Sequence, residues 1–285
     1  MEAEGWSVHQ EYARVLDEMA KAGYEGTELG PYGYLPTEPD CLMSELSSRG
    51  LRLVSAFVPV HLANPQRHET GFHEAMKVAR LLAQAGSPLI VLADEMGGAR
   101  MSVAGRVNEE RDGMSDRDWD GAVEILSRIA TACRELGIVT AFHHHAGTLV
   151  ETPDEIERLC ASTDPSLIGL CLDTGHYVYG GGDPVNAVKK YGSRILHLHL
   201  KDVRPDVLQS VREDGVGFLD AVRRGVFCEL GVGAVNFPAV TQELMDCGYE
   251  GWALVEQDVD ADQPGVDPYK SAVRSRQYLR DVIGL

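Results

Sequence analysis

The stretch GIVTAFHHHAGTLVETPDEIERLC, residues 137–160, has the form of one β–turn–α unit. An apolar run, 138–143, reads as a buried strand. A polar turn with a glycine follows. Then TPDEIERLC begins with Thr and Pro, carries acidic residues in its first turn and spaces its apolar residues as a helix does, over 152–162. The strand ends in three consecutive histidines, His143, His144 and His145. Such a run at the end of a buried strand is read as metal ligands, catalytic groups or polar filler.

The same unit recurs outward in both directions. Strands are expected at 24–29, 51–60, 88–94, 138–143, 167–173, 195–200 and 252–257. Helices are expected at 9–22, 37–49, 68–85, 117–136, 152–162, 183–191, 237–246 and 268–282. Residues 95–116, rich in Gly, Met and charge, read as an active-site loop. Strands alternating with helices imply right-handed βαβ units and a parallel sheet. No G-x-G-x-x-G or phosphate loop follows a strand, which argues against a nucleotide fold. No linker interrupts the alternation, so a single (β/α)8 TIM barrel over residues 1–285 fits best. Residues 1–8 are short, polar and poor as a strand, so the first barrel strand is expected to be missing or atypical.

Bulk properties bound the function. The chain has 285 residues, 44% of them hydrophobic, enough for a sizeable core. A net charge of −18, from 26 basic and 44 acidic residues, excludes nucleic acid and anionic membranes as partners. No apolar run reaches the length of about 18 residues that spans a bilayer. The N-terminal segment lacks the basic start and apolar stretch of a signal peptide. Six cysteines without a C-x-x-C pair read as reduced thiols of a cytoplasmic protein.

In a barrel of this kind the site lies where the strands end. The expected strands deliver Glu28, His61, Asp94 with Glu95, His143 to His145, Asp173 with His176, His197 and His199 with Lys201 and Asp202, and Glu256 with Asp258. Singly, a strand-end Asp is most often a cap and a histidine in LHLHL a core residue. Together they bring ionisable groups to one end of every strand. Alternation places His197 with His199, and His143 with His145, on shared faces. Asp173, His199, Glu256 and one histidine from 143–145 would form a nitrogen–oxygen donor set. That set suits Mn²⁺, Co²⁺, Fe²⁺ or Zn²⁺ better than Ca²⁺.

YEGTELG (24–30), LCLDTGH (170–176), ILHLHLKD (195–202) and GYEGWALVEQD (248–258) resemble the sugar phosphate isomerase/epimerase superfamily, the xylose isomerase-like barrels. HHHAGTLVETPDEIERL, HLKDVR, GVFCELGVGAVNF and VEQD most resemble, within it, the inosose (2-keto-myo-inositol) dehydratases. The resemblance covers almost the whole chain. It implies a cytoplasmic enzyme with one divalent metal, Mn²⁺ or Co²⁺ first, with Zn²⁺, Fe²⁺ or Mg²⁺ as alternatives. Its ligand pattern Glu, Asp, His, Glu maps its last three members onto Asp173, His199 and Glu256. The first falls at or beside His143, a departure that removes one of two carboxylates used in epimerisation. The resemblance therefore implies a lyase acting on a cyclic keto-polyol, with a sugar isomerase or ketose 3-epimerase as the alternative. Elimination on a 3-keto-glycoside and metal-dependent sugar binding without catalysis are further readings.

In this reading His143, Asp173, His199 and Glu256 hold the metal. Glu256, His145 and Lys201 are catalytic. His176, Glu28, His61 and Glu95 contact substrate. His144 is expected to point away from the barrel mouth, and Gly231 and Gly233 to shape a loop. Barrels of this superfamily form dimers or tetramers, so a homo-oligomer is the expectation.

Overall fold

The computed structural model describes residues 11–260, 263 and 265–285. Residues 1–8, the stretch in doubt as a first strand, lie outside these. The strands, in chain order, are β1 (Gly26–Glu28), β2 (Arg52–Val60), β3 (Leu89–Asp94), β4 (Val139–His143), β5 (Ile168–Asp173), β6 (Ile195–Leu200), β7 (Asp202–Val203), β8 (Phe227–Cys228) and β9 (Ala253–Val255). All seven strands read from the sequence are present, with helices between them as a (β/α) barrel requires. Two short strands, β7 and β8, are additional. All six cysteines are unbridged, and no helix among the described residues is long and apolar enough to cross a membrane.

The contacts divide into two compact units. The first holds residues up to Met96, with 115–142 and 163–168. Here β1, β2, β3 and β4 follow one another in sheet order. β2 lies parallel to β3, with Ser55 opposite Leu89 and Val60 opposite Asp94. β3 is buried along its whole length, as expected of a parallel strand covered on both faces. The helix His68–Ala85 buries Ala75, Met76, Val78, Ala79, Leu81, Leu82 and Ala85, the stripe its apolar spacing requires, and closes on Gly86 in the left-handed conformation. The helix Asp116–Glu135 starts at Ser115, whose hydroxyl accepts the Asp118 N–H. It packs on the preceding helix, and Arg128 pairs with Glu69 while lying 4.2 Å over the Phe72 ring.

Polar strand ends in this unit have separate surroundings. Asp94 Oδ1 accepts the Leu62 N–H at 3.1 Å. Glu28 accepts the Ser55 hydroxyl at 2.7 Å. Glu95 donates its own N–H to Val60 O, and one of its carboxylate oxygens is buried without a hydrogen bond among the described residues. His61 follows β2, half-buried.

The second unit holds 97–114, 143–162 and 169 onward. β5, β6 and β9 are neighbours in that order and parallel. The segment expected as an active-site loop, 95–116, contains two short helices, Gly98–Val103 and Glu109–Asp112. Its Arg100 is only 4% exposed, so burial of one guanidinium, rather than apolar periodicity, organises it. Residues 201–236, without a sequence assignment, contain an antiparallel β7–β8 ribbon and helices Pro205–Asp214 and Phe218–Arg223. Asp202 explains the ribbon. Its Oδ2 accepts the N–H groups of Gly231 and Gly233, both at 2.9 Å, and its Oδ1 those of Val235 and Val203. A Cβ on Gly233 would lie 2.3 Å from Asp202 Oδ1. Gly231 and Gly233 thus shape the loop as expected. The closing helix runs Pro268–Tyr278, and a wider turn, Leu279–Ile283, completes the expected span.

Candidate active site

Four strand ends of the second unit converge. His143 is the last residue of β4 and Asp173 the last of β5. The β5–β6 register puts Asp173 opposite His199. β9 stops at Val255, sooner than the sequence suggests, and Glu256 follows with its N–H on Leu200 O at 3.0 Å. One donor atom from each of His143, Asp173, His199 and Glu256 lies within 4.8 Å of the others. His143 Nε2 is 3.6 Å from Asp173 Oδ2. His199 Nδ1 is 3.3 Å from Glu256 Oε2 and 3.8 Å from Asp173 Oδ2. His143, Asp173 and His199 are buried, while the Glu256 side chain keeps 30% of its surface exposed.

The two oxygens of Asp173 have different tasks. Oδ1 accepts the His176 N–H at 2.8 Å and caps the helix Thr174–Tyr179. Oδ2 is buried and faces Lys201 Nζ at 3.4 Å, His143 Nε2 at 3.6 Å and His199 Nδ1 at 3.8 Å, with no hydrogen bond of ordinary geometry among the described residues. A buried carboxylate oxygen aimed at two imidazoles and a second carboxylate is what a divalent cation needs. The donor set, two imidazoles and two carboxylates without thiolate, fits such an ion.

A buried ammonium completes the cluster. Lys201 Nζ lies 3.1 Å from both Glu256 Oε2 and Asp258 Oδ2, 3.4 Å from Asp173 Oδ2 and 2.9 Å from His176 Nε2. Its stem passes so close to Gly175 that a Cβ there would stand 2.6 Å from Lys201 Cγ. Burial works against the charge of Lys201, but Asp173, Asp258 and Glu256 outweigh it and hold the ammonium protonated. Burial likewise opposes ionisation of Asp173 and Glu256. The Lys201 ammonium and the neighbouring His143 ring on Asp173, and the His199 ring and the Lys201 ammonium on Glu256, prevail and keep both well below the usual carboxylate range. Asp258 is the exception: its burial outweighs the pull of Lys201 and raises its pKa.

The histidine run separates into three roles. β4 ends at His143, so strand alternation does not put His143 and His145 on one face. His145 lies in the turn beyond, its Nδ1 2.7 Å from Ala146 O and its ring 3.7 Å from that of His176. Burial lowers it to about 3 and drives His176 well below its ordinary value, so both rings are neutral near pH 7. His144 turns away, as expected: its Nε2 accepts the Asp173 N–H at 3.3 Å and its ring packs edge-on to Tyr177.

The model of the xylose isomerase-like TIM barrels matches residues 16–282. The chain belongs to that family. An inosose dehydratase from Geobacillus kaustophilus (strain HTA426) is 38% identical over 278 residues, covering 96% of this chain and 88% of the relative. Among solved structures, the IolI protein with a bound zinc atom is 16% identical with a TM-score of 0.72, over 96% of this chain and 94% of that one. The probable 3-DHS dehydratase AsbF from Bacillus anthracis is 19% identical with a TM-score of 0.70, over 96% of both chains. The fold class is therefore the xylose isomerase-like barrel.

Of the residues singled out from the sequence, His143, His145, Asp173, His176, His199, Lys201 and Glu256 are brought together. Glu28, His61 and Glu95 belong to the first unit. Sequence reading gave no role to Asp258, two residues past Glu256, which pairs with Lys201 and faces His176 Nε2 at 3.6 Å. The spacing E-x-D after an apolar strand was its only signal. Glu151 and Glu155 were also missed, because acidic residues at a helix start read as ordinary first-turn charge.

Proposed function

We propose that this chain is a metal-dependent carbon–oxygen lyase that dehydrates a cyclic keto-polyol such as 2-keto-myo-inositol, acting as one barrel domain. The family relatives support the reaction, and one feature of the site favours it over epimerisation. Of the two carboxylates in the donor set, Asp173 is fully buried and pinned by its cap, which leaves Glu256 as the only one with solvent access. With His143 where the superfamily pattern has a glutamate, a proton taken by Glu256 has no second ligand carboxylate to return it from the opposite face. Loss of hydroxide then completes the reaction.

His143, Asp173, His199 and Glu256 would hold the ion, Mn²⁺ or Co²⁺ first, with Zn²⁺, Fe²⁺ or Mg²⁺ compatible with the same donors. Bound there, a divalent cation supplies a Lewis acid for the ketone of the substrate. The chain's own groups do the rest. Glu256 removes the proton α to the ketone. Lys201, a fixed ammonium in a buried setting, stabilises negative charge as it develops on the substrate oxygen. The proton that Glu256 removes is passed to the departing hydroxyl, which leaves as water; His145, neutral at rest with its Nδ1 fixed by Ala146 O, relays it through Nε2. His176 binds a ring hydroxyl.

The test is an ultraviolet assay on 2-keto-myo-inositol with Mn²⁺ or Co²⁺ added, run in deuterium oxide in parallel. Growth of enone or dione absorbance with loss of water supports the lyase. Deuterium entering recovered sugar without loss of water would replace it with an isomerase or epimerase.

A further inference from the structure

Two buried carboxylates lie outside this chemistry, in the link between the histidine turn and the helix Pro153–Ser162. Glu155, 4% exposed, receives the Arg100 guanidinium through two bonds of 2.8 and 2.9 Å. Its Oε2 also accepts the N–H groups of Glu151 and Thr152 at the start of that helix. Glu151, 1% exposed, is arranged differently. Its Oε1 accepts the Gly105 N–H at 2.6 Å and its Oε2 the Gly147 N–H at 2.5 Å. One carboxylate thus joins the 97–114 segment to the turn that carries His145.

That turn is under tight control at the same peptide. Gly147 has φ +82, and a Cβ there would stand 2.9 Å from Met101 Sδ, so the 97–114 segment presses on it directly. One residue earlier, the Ala146 N–H donates to His176 Nδ1 at 3.3 Å. On its other side Arg106 donates to Val216 O at 2.8 Å, and Arg212 donates to both Gly105 O at 3.1 Å and Tyr179 O at 2.8 Å. Glu155 ties the segment to a helix start. Glu151 ties it to the peptide next to the one that contacts His176.

We propose that Glu151 is a positioning residue for the reaction. It holds the Gly105 and Gly147 amides on one carboxylate and so fixes the turn that presents His145 and seats Ala146 on His176. This rests on the dehydratase reading. Burying a carboxylate with no cationic hydrogen-bond partner is costly, and the two backbone amides are what it gains. Replacing it with the isosteric amide leaves one oxygen for two amides and sets an NH₂ against the other N–H.

The experiment compares the metal-loaded wild type with Glu151→Gln, Glu151→Asp and, as the latch that does not reach the turn, Glu155→Gln. Each is measured for kcat, KM, thermal unfolding and amide hydrogen exchange at Gly105 and Gly147. Misplacement of a reacting group by about 1 Å costs on the order of 100-fold. Glu151→Gln and Glu151→Asp are therefore expected to lose about 10- to 100-fold in kcat with KM within about threefold, and to exchange both amides faster together. Glu155→Gln is expected to lose more thermal stability while keeping kcat within about threefold. A wild-type kcat in both Glu151 variants, or losses that simply follow unfolding temperature in all three, would overturn the proposal. Wild type inactive on 2-keto-myo-inositol would reject the dehydratase reading instead, and independent exchange at Gly105 and Gly147 in the Glu151 variants would then still reject the positioning role.

Discussion

Asp94 at the end of β3 and Asp173 at the end of β5 are the same residue type at the same point of a β–α unit, in two regions of the molecule. Asp94, in the first unit, spends an oxygen on the backbone N–H of Leu62. Asp173, in the second, spends Oδ1 on the His176 N–H and leaves Oδ2 to face His143, His199 and Lys201. Asp202 marks the other limit within that second region, with both oxygens saturated by backbone. The ion pairs differ in the same sense. Arg128–Glu69 lies on the surface of the first unit, 45% and 65% exposed, while Arg100–Glu155 in the second is 5% and 4% exposed. A strand-end carboxylate therefore announces chemistry when an oxygen faces other ionisable side chains, as Asp173 Oδ2 does, and an ion pair matters to stability only where water is excluded.

The largest effect is expected at the shared donor set. Asp173→Asn keeps the capping oxygen and replaces the one that faces the cluster. It should lower metal-dependent activity by more than about 100-fold, since losing even an outer partner of a metal ligand costs 10–100-fold. The helix Thr174–Tyr179 should stay intact by circular dichroism. The same exchange at Asp94 should leave metal binding unchanged, and equal loss at both positions would erase the distinction between the two strand ends.

Next comes the buried pair. Glu155→Ala strands the Arg100 guanidinium and should cost about 3–5 kcal/mol by urea unfolding. Asp202→Ala follows at about 3 kcal/mol, because the buried Val203 and Val235 N–H groups lose their acceptor at about 1–3 kcal/mol each, while the part-buried ones of Gly231 and Gly233 can turn to water. Its activity should fall only as far as its stability does. Smallest is Arg128→Ala, which should leave the unfolding midpoint where it was. A larger shift there than at Glu155 would invert the comparison.

Much of this was legible in the chain. Apolar periodicity located the helices His68–Ala85 and Phe237–Asp246 to the residue, and the buried runs located β2, β3 and β6 within one position. Asp173, His199 and Glu256 stood out because each directly follows or ends such a run. What periodicity does not carry was missed. The helices in 97–114 and 201–236 are short, and buried polar atoms organise them: Arg100 on Glu155, and Asp202 on Gly231, Gly233 and Val235. Those partners are up to 55 residues apart in sequence. His143 and His145 looked like one strand face because nothing in HHHAG says that the strand stops at the first histidine. Asp258 was noted at a strand end but given no role for the same reason, since β9 ends before Glu256 and the side chains beyond it follow the turn.

The most direct test of the central claim is the metal content of the purified protein beside that of Asp173→Asn, by inductively coupled plasma mass spectrometry after dialysis against excess Mn²⁺ or Co²⁺. The account predicts about one divalent ion per wild-type chain and almost none in the variant, with both equally folded. A wild type without stoichiometric metal, or a variant that retains it, would contradict the account.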